Sequence, residues 1–150
     1  MSPSSVVTPP DPDARLRAAL LDAGLRVTSQ RLVLHRVLVA DLGRHATAEE
    51  VARAAADRLP GLSLPTVYAT LELLVGLGLA RRVATGGATL FDPRTDPHEH
   101  FACTACGRVS DLDPALDTAP AAAAARRAGM EVAHVEVVVA GRCADCVAMA

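Results

Sequence analysis

The four cysteines of this 150-residue chain are its clearest chemical signal, because they fall in two pairs, Cys103-Thr-Ala-Cys106 and Cys143-Ala-Asp-Cys146. Two residues between cysteines place both sulfurs on one side of a tight turn. Two such pairs supply the four thiolates of a closed, tetrahedral structural Zn²⁺ site. All four sulfurs are then committed, and no position stays open for a catalytic water. Gly107 gives the first turn the backbone freedom that such a knuckle needs. The 36 residues between the pairs exceed the span of a simple zinc ribbon, so the metal ties a late segment back to an earlier one. The competing reading is a zinc-containing thiol-redox protein, with the pairs working as dithiols. The N-terminal MSPSSVVTPPDPD has neither a basic start nor a long apolar core. It is not a signal peptide, so the expected setting is cytoplasmic and reducing, where metal binding prevails over disulfides.

A second, harder donor set surrounds the first pair. His98-Glu-His100 precedes the knuckle, and on a strand two residues that far apart face the same side. Asp92 ends the preceding strand, Asp111 follows the knuckle, and His45 stands just before Thr47. Three imidazoles with two carboxylates suit iron, manganese or zinc rather than a thiophilic ion. Singly each is unremarkable: a surface aspartate is solvated, Asp92 before Pro93 also fits a turn, and a lone histidine such as His45 is ordinarily a loop residue. His35 and His134 have no adjacent ligand and are read as structural. The His-X-His beside Cys-X-X-Cys-Gly is what marks the group as ligands.

The elements that must position these residues follow from periodicity and capping. Asp13 is read as the cap of a first helix reaching about Ala23 and closed by Gly24, and Thr28 as the cap of a second carrying Leu32, Val33, Val37 and Leu38. Thr47-Ala-Glu-Glu50 has the form of a capping box. Ser63 caps a helix from Leu64 to Gly76 with Val67, Leu71 and Leu74 on one face. Leu79–Ala84 and Ala88–Phe91, around Gly86-Gly87, read as a hairpin. Four helices followed by a hairpin is the order of a winged helix. Beyond it, Phe101–Cys103 and Arg108–Leu112 read as strands, an alanine-rich helix starts from Pro114 and is strained by Pro120, and Val132–Val139 reads as a last strand. The expected class is α+β: a tail over 1–12, a winged helix-turn-helix domain over 13–92, a hinge over 93–97 and a small α/β domain over 98–150.

Hydrophobic residues make up 51% of the chain, yet only Tyr68, Phe91 and Phe101 are aromatic, so the core must be built of Ala, Val and Leu. All fifteen cationic residues are arginine, which with the alanine richness reads first as codon bias. The net charge of −2 does not announce a nucleic-acid binder, although residues 1–86 carry +2 and residues 87–150 carry −4. No run approaches the length of a membrane span. With no His-Glu-X-X-His motif and no pocket signature, neither an enzyme nor a small organic substrate is expected.

The segments Gly24-Leu-Arg-Val-Thr-Ser-Gln-Arg31, Leu62-Ser-Leu-Pro-Thr-Val-Tyr-Ala-Thr-Leu71, Gly78-Leu-Ala and His98-Glu-His-Phe-Ala-Cys-Thr-Ala-Cys-Gly107, completed by Cys143 and Cys146, resemble the ferric uptake regulator family from about Ala14 to Cys146. The resemblance implies a homodimer whose second domain dimerises, and a regulatory Fe²⁺ or Mn²⁺ that closes the winged domains on double-stranded promoter DNA as a repressor. It maps the regulatory ligands onto His45, Asp92, His98, His100 and Asp111. The aspartate at Asp111, where iron sensors often have glutamate, is similar to the peroxide-sensing branch. There Fe²⁺ and peroxide oxidise a histidine ligand, here His45 or His98, and DNA is released. The alternative within the family is an iron-uptake or other metal-homeostasis repressor that senses occupancy alone. DNA contacts are assigned to Arg15, Arg26, Arg31, Thr66, Tyr68 and Thr70, with Arg17 and the Arg81-Arg82 pair as further phosphate contacts. The recognition helix departs from the pattern: it has no Arg or Lys, and Ala69 stands where arginine is frequent, so bidentate guanine readout is not available from it.

Overall fold

The computed structural model describes residues 11–113 and 116–150, and the chain divides into two compact units, Met1–Thr95 and Asp96–Ala150. The first unit opens with α1 (Pro12–Asp22) and α2 (Ser29–Arg36). A π-helical segment, Val37–Leu42, continues α2 and is closed by Gly43 in the left-handed conformation. Helices α3 (Ala48–Ala55) and α4 (Leu64–Gly76) follow, then a hairpin of β1 (Arg81–Ala84) and β2 (Thr89–Asp92). The hairpin is antiparallel, with Arg81 opposite Asp92 and Ala84 opposite Thr89.

Local chemistry sets these boundaries. Thr28 accepts the Arg31 amide, Ser63 accepts the Thr66 amide, and Thr47 and Glu50 form the full reciprocal capping box at 3.1 and 2.8 Å. At α1 the cap is Asp11 rather than Asp13: its carboxylate accepts the Asp13 amide at 3.0 Å while Pro12 starts the helix. Proline is favoured there because the first helical N–H has no intrahelical partner. Asp13 instead pairs with Arg36 of α2. Helix therefore begins inside the span expected to be a tail, whose residues 1–10 lie outside the described residues. The core of this unit joins Leu16 and Leu20 of α1, Leu34, Val37 and Leu38, Val51, Val67, Leu71 and Leu74 of α4, and Phe91 of β2. Each side chain named is fully covered, at a gain of roughly 1.5–3 kcal/mol per large apolar residue.

The second unit is a three-stranded sheet in the order β4-β3-β5, from β3 (Glu99–Cys103), β4 (Val109–Leu112) and β5 (Val138–Gly141), with α5 (Ala119–Arg127) and α6 (Ala144–Ala148). β3 pairs antiparallel with β4 and parallel with β5. Two expectations are corrected here. The last strand covers 138–141, not 132–139, because it pairs with the five-residue central strand β3 and the ladder cannot outrun that partner. Helix α5 begins at Ala119, so Pro120 lies in its first turn, where a missing N–H costs nothing, and no strain follows. The expected start at Pro114 lies outside the described residues. The only apolar side chains buried in this unit, among the described residues, are Cys103 and Cys146, and α5 buries none. A sheet this small needs another source of stability. No helix among the described residues is long and apolar enough to cross a membrane.

Candidate metal centres

The parallel pairing of β3 with β5 builds the cysteine cluster. Cys103, the last residue of β3, lies opposite Gly141, so the second cysteine pair begins two residues beyond the strand end. Gly141 packs beside the Phe101 ring, which a Cβ there would meet at 3.4 Å. Cys103 donates its amide to the Arg108 carbonyl at 2.8 Å and accepts the Gly107 amide at 2.9 Å, which closes the knuckle, and Gly107 has φ +74°. Cys143 caps the N-terminus of α6 and Cys146 lies within that helix. Arg108 bridges to Asp145 at 2.6 Å, joining one cysteine turn to the other, and Arg142 donates to the Cys146 carbonyl.

The four sulfurs lie within 4.8 Å of one another, and Cys106 Sγ and Cys143 Sγ are 3.8 Å apart. A tetrahedron with metal–sulfur bonds of about 2.3 Å has edges of about 3.8 Å. The backbone N–H groups of Cys143 and Cys106 reach Cys103 Sγ at 3.3 and 3.5 Å and hold its thiol down to about 6. The side chains of Cys143 and Cys106, then burial, push the Cys146 thiol up to about 12. Backbone donors thus favour the thiolate at one sulfur, while the neighbouring sulfurs oppose it at another. Four sulfurs this close ionise together only around a cation.

The harder donors form two groups, one in each unit. In the first unit Ala46 and Phe91 exchange both backbone hydrogen bonds at 3.0 and 2.8 Å as an isolated antiparallel bridge, so the flanking His45 and Asp92 come side by side. His45 Nε2 lies 3.4 Å from Asp92 Oδ2, while Asp92 Oδ1 accepts the Arg94 amide at 2.8 Å. In the second unit His100 pairs with Asp111 across β3 and β4. His98, one residue before β3, has its ring 4.6 Å from that of His100 and its Nε2 3.5 Å from Asp111 Oδ1. His98 Nδ1 meets the Asp96 carbonyl at 2.7 Å, which fixes the proton on Nδ1 and turns the Nε2 lone pair toward Asp111. Ligands about 2.1 Å from a shared ion lie about 3.0–3.4 Å apart at octahedral to tetrahedral angles, close to both nitrogen–oxygen separations. The orienting groups, the Asp96 carbonyl and the Arg94 amide, were not singled out in the sequence. The legible sign of the second was Asp92-Pro93-Arg94, a turn whose aspartate side chain bonds the amide two residues on.

The residues expected to meet DNA fare unevenly. Thr66 is half-buried, with its hydroxyl 2.7 Å from that of Ser63. Tyr68 is half-buried, and its ring packs edge-on against Phe91 with centroids 6.3 Å apart. Thr70 is buried and donates to the Thr66 carbonyl at 3.0 Å, so its hydroxyl is engaged within α4. Arg15, Arg17 and Arg26 are exposed, Arg31 donates to the Arg26 carbonyl at 2.5 Å, and Arg82 of the hairpin pairs with Glu72 at 3.3 Å.

Comparison with known proteins adds a decisive match: residues 22–140 fit the Ferric uptake regulator family. The chain belongs to that family. Its members are metal-dependent transcriptional regulators rather than enzymes, built as a winged helix followed by an α/β domain. The chain is 36% identical over 121 residues to ferric uptake regulation protein 1 of Mycolicibacterium fortuitum, covering 79% of this chain and 74% of that one. It is 33% identical over 129 residues to the peroxide operon regulator of Bacillus subtilis, covering 85% and 88%. Its structure is similar to that of the ferric uptake regulator from Pseudomonas aeruginosa with manganese, at a TM-score of 0.65 and 28% identity, covering 85% of this chain and 97% of the other.

Proposed function

We propose that this family member is a cytoplasmic, homodimeric repressor of double-stranded promoter DNA, with a structural Zn²⁺ on Cys103, Cys106, Cys143 and Cys146 and a regulatory Fe²⁺ or Mn²⁺ through which it responds to peroxide. The observation that carries the reading is the arrangement of the harder donors: His98, His100 and Asp111 converge in one unit, while His45 and Asp92 pair in the other. An ion taking ligands from both sets favours whichever arrangement of the units lets all five bind, by its differential affinity for that arrangement. The boundaries of 13–92 for the DNA-binding domain, 93–97 for the hinge and 98–150 for the dimerisation domain belong to the same reading. The manganese in the Pseudomonas aeruginosa relative supports an ion of this hardness. Dimerisation is supported by the apolar surface that the second unit leaves open, including Leu116, Met130 and Val139 at 55, 62 and 41% exposure.

Ferrous ion bound by these ligands would supply the redox chemistry that lets peroxide attack an imidazole. One peroxide oxygen enters a ring C–H bond of His45 or His98, and the other leaves as water, a two-electron oxidation of the ring. The cysteines are poor sensors here because zinc already holds them. Asp96 keeps the His98 ring fixed and Arg94 steadies Asp92, so oxidation of either histidine weakens a preorganised ligand set. On the DNA side, Arg15, Arg26 and Arg31 supply phosphate contacts, and Thr66 and Tyr68 of α4 face the duplex. With no cation on α4, affinity rests on the backbone and is strongly salt-dependent.

A repressor that senses metal occupancy alone is the second reading, favoured by the ferric uptake regulation relative at 36% identity. Gel shifts on the upstream region of the protein's own gene, with Fe²⁺, Mn²⁺ or Zn²⁺ and then anaerobic Fe²⁺ plus peroxide, separate the two. Release in the iron sample only supports peroxide sensing; binding that persists there sinks it.

A further inference from the structure

The second unit covers a carboxylate oxygen that none of the contacts described above meets. Glu136 is half-buried, and its Oε1 is buried with no hydrogen-bond partner among the described residues. Such an atom forfeits its hydration without return, and a carboxylate is among the costliest groups to leave so. Buried polar atoms of this kind are ordinarily met by ordered water or an ion.

The sheet sets Glu136 on the face that carries the harder donors. His100 lies opposite Asp111 of β4 and Val138 of β5. The His100 amide donates to the Val137 carbonyl at 3.4 Å, which carries the pairing one residue ahead of β5. Paired residues project to one side of a sheet, and so do residues two apart. Glu136, two before Val138, is thereby level with His98, two before His100, on the side shared with Asp111. Asp111 flanks the two imidazoles from one neighbouring strand and Glu136 flanks them from the other. The positions of β3, β4 and β5 on that side include no arginine or lysine, so no cation of the strands answers the added charge. The Glu136 carboxylate is not one of the donors within 4.8 Å of one another, which in this unit are His98, His100 and Asp111. It stands behind the ligands rather than among them.

We propose that Glu136 is an outer carboxylate of the regulatory metal site, accepting a hydrogen bond from a water that completes the coordination of the ion. The proposal rests on the reading of His98, His100 and Asp111 as ligands. Five protein donors leave one position of the octahedron that an ion such as Mn²⁺ prefers. A water polarised by the ion is a strong donor, and a covered carboxylate oxygen lacking any other donor is its matching acceptor. Outer partners of this kind carry about 10–100-fold in metal affinity.

Mn²⁺ alone is the probe, titrated into full-length, zinc-loaded protein and followed by the paramagnetic resonance of the free ion. Glu136→Gln keeps the shape, removes the charge and should weaken Mn²⁺ about tenfold, the lower end of that range. The same variant should raise the thermal midpoint of the Mn²⁺-free protein, because a covered charge that nothing meets is gone. A glutamate with a purely structural role would lower that midpoint instead. Glu136→Asp, which withdraws the carboxylate by one methylene, should also weaken Mn²⁺. Wild-type affinity in Glu136→Gln, or a lowered midpoint without Mn²⁺, would overturn the proposal. Complete loss of Mn²⁺ would overturn it too, by marking a direct ligand. His98→Ala distinguishes failure of the proposal from failure of the site. It should abolish Mn²⁺ binding, and if it binds as the wild type does, the site itself fails and the role of Glu136 with it.

Discussion

Stripping the metal from the four cysteines should unfold the second unit while leaving the first intact. The first unit holds a continuous apolar core from Leu16 to Phe91. In the second, only Cys103 and Cys146 are buried apolar side chains among the described residues, and α5 buries nothing. At about 25 cal/mol per Å² of apolar area, a unit with so little buried cannot offset the ordering entropy of its backbone, about 1–2 kcal/mol per residue. Structural zinc contributes about 10–16 kcal/mol in small finger domains, which exceeds or equals the whole stability of a typical domain, about 5–15 kcal/mol. Removal should therefore abolish, not merely weaken, order in β3–β5. The assay is amide hydrogen exchange by mass spectrometry before and after treatment with a strong zinc chelator, with Cys146→Ser as a chelator-free check. Peptides covering 99–103 and 138–146 should lose protection, while those covering 64–76 keep it. Uniform retention of protection in zinc-free, reduced protein would refute the reasoning, and so would simultaneous collapse of both units.

Four further outcomes follow from named contacts. Thr47→Ala should cost about 1 kcal/mol in urea unfolding by removing the cap of α3. The Thr47 amide holds the Glu50 carboxyl below the usual glutamate range. That contribution is complete above the unfolded pKa and is lost as pH falls through the lowered folded value, so Glu50→Gln should flatten the acid limb of the stability curve. Burial lowers the His35 pKa, so the unfolded chain takes up a proton that the folded chain refuses. Stability should then fall as pH drops below about 6.5, by at most about 1.4 kcal/mol per pH unit, and His35→Phe should remove that slope. Leu71→Ala, at a fully buried position of α4, should cost about 2–5 kcal/mol, read as a lower thermal midpoint.

Features written in local chemistry were legible in the sequence. The capping box needs only Thr47 and Glu50, and each Cys-X-X-Cys pair needs only its own spacing, because both are fixed within one turn of chain; the pairing of β3 with β5 brings the two pairs together. The order of four helices and a hairpin was legible for the same reason. Features decided by a distant partner were not. The extent of β5 depends on the length of its partner β3, and the burial of Thr70 on which way α4 rotates against its core. The π-helical turn at Val37–Leu42 has no periodic signature in six residues. Asp11, not Asp13, caps α1, and Asp13 pairs instead with Arg36, far along the chain. Within the harder donor set, the ligand types and the shared side of His98 and His100 could be anticipated. The Ala46–Phe91 bridge that sets His45 beside Asp92 could not, since it forms between segments with no local relation.

The central claim, that His45, Asp92, His98, His100 and Asp111 hold an ion through which peroxide is read, meets its most direct test in peptide masses. Protein loaded anaerobically with Fe²⁺ and given one equivalent of peroxide should gain about one oxygen on the peptide carrying His45 or His98. The cysteine peptides should be unchanged, and the Mn²⁺-loaded protein should show no gain. Oxygen confined to cysteine or methionine peptides, or equal gain with either metal, would contradict it.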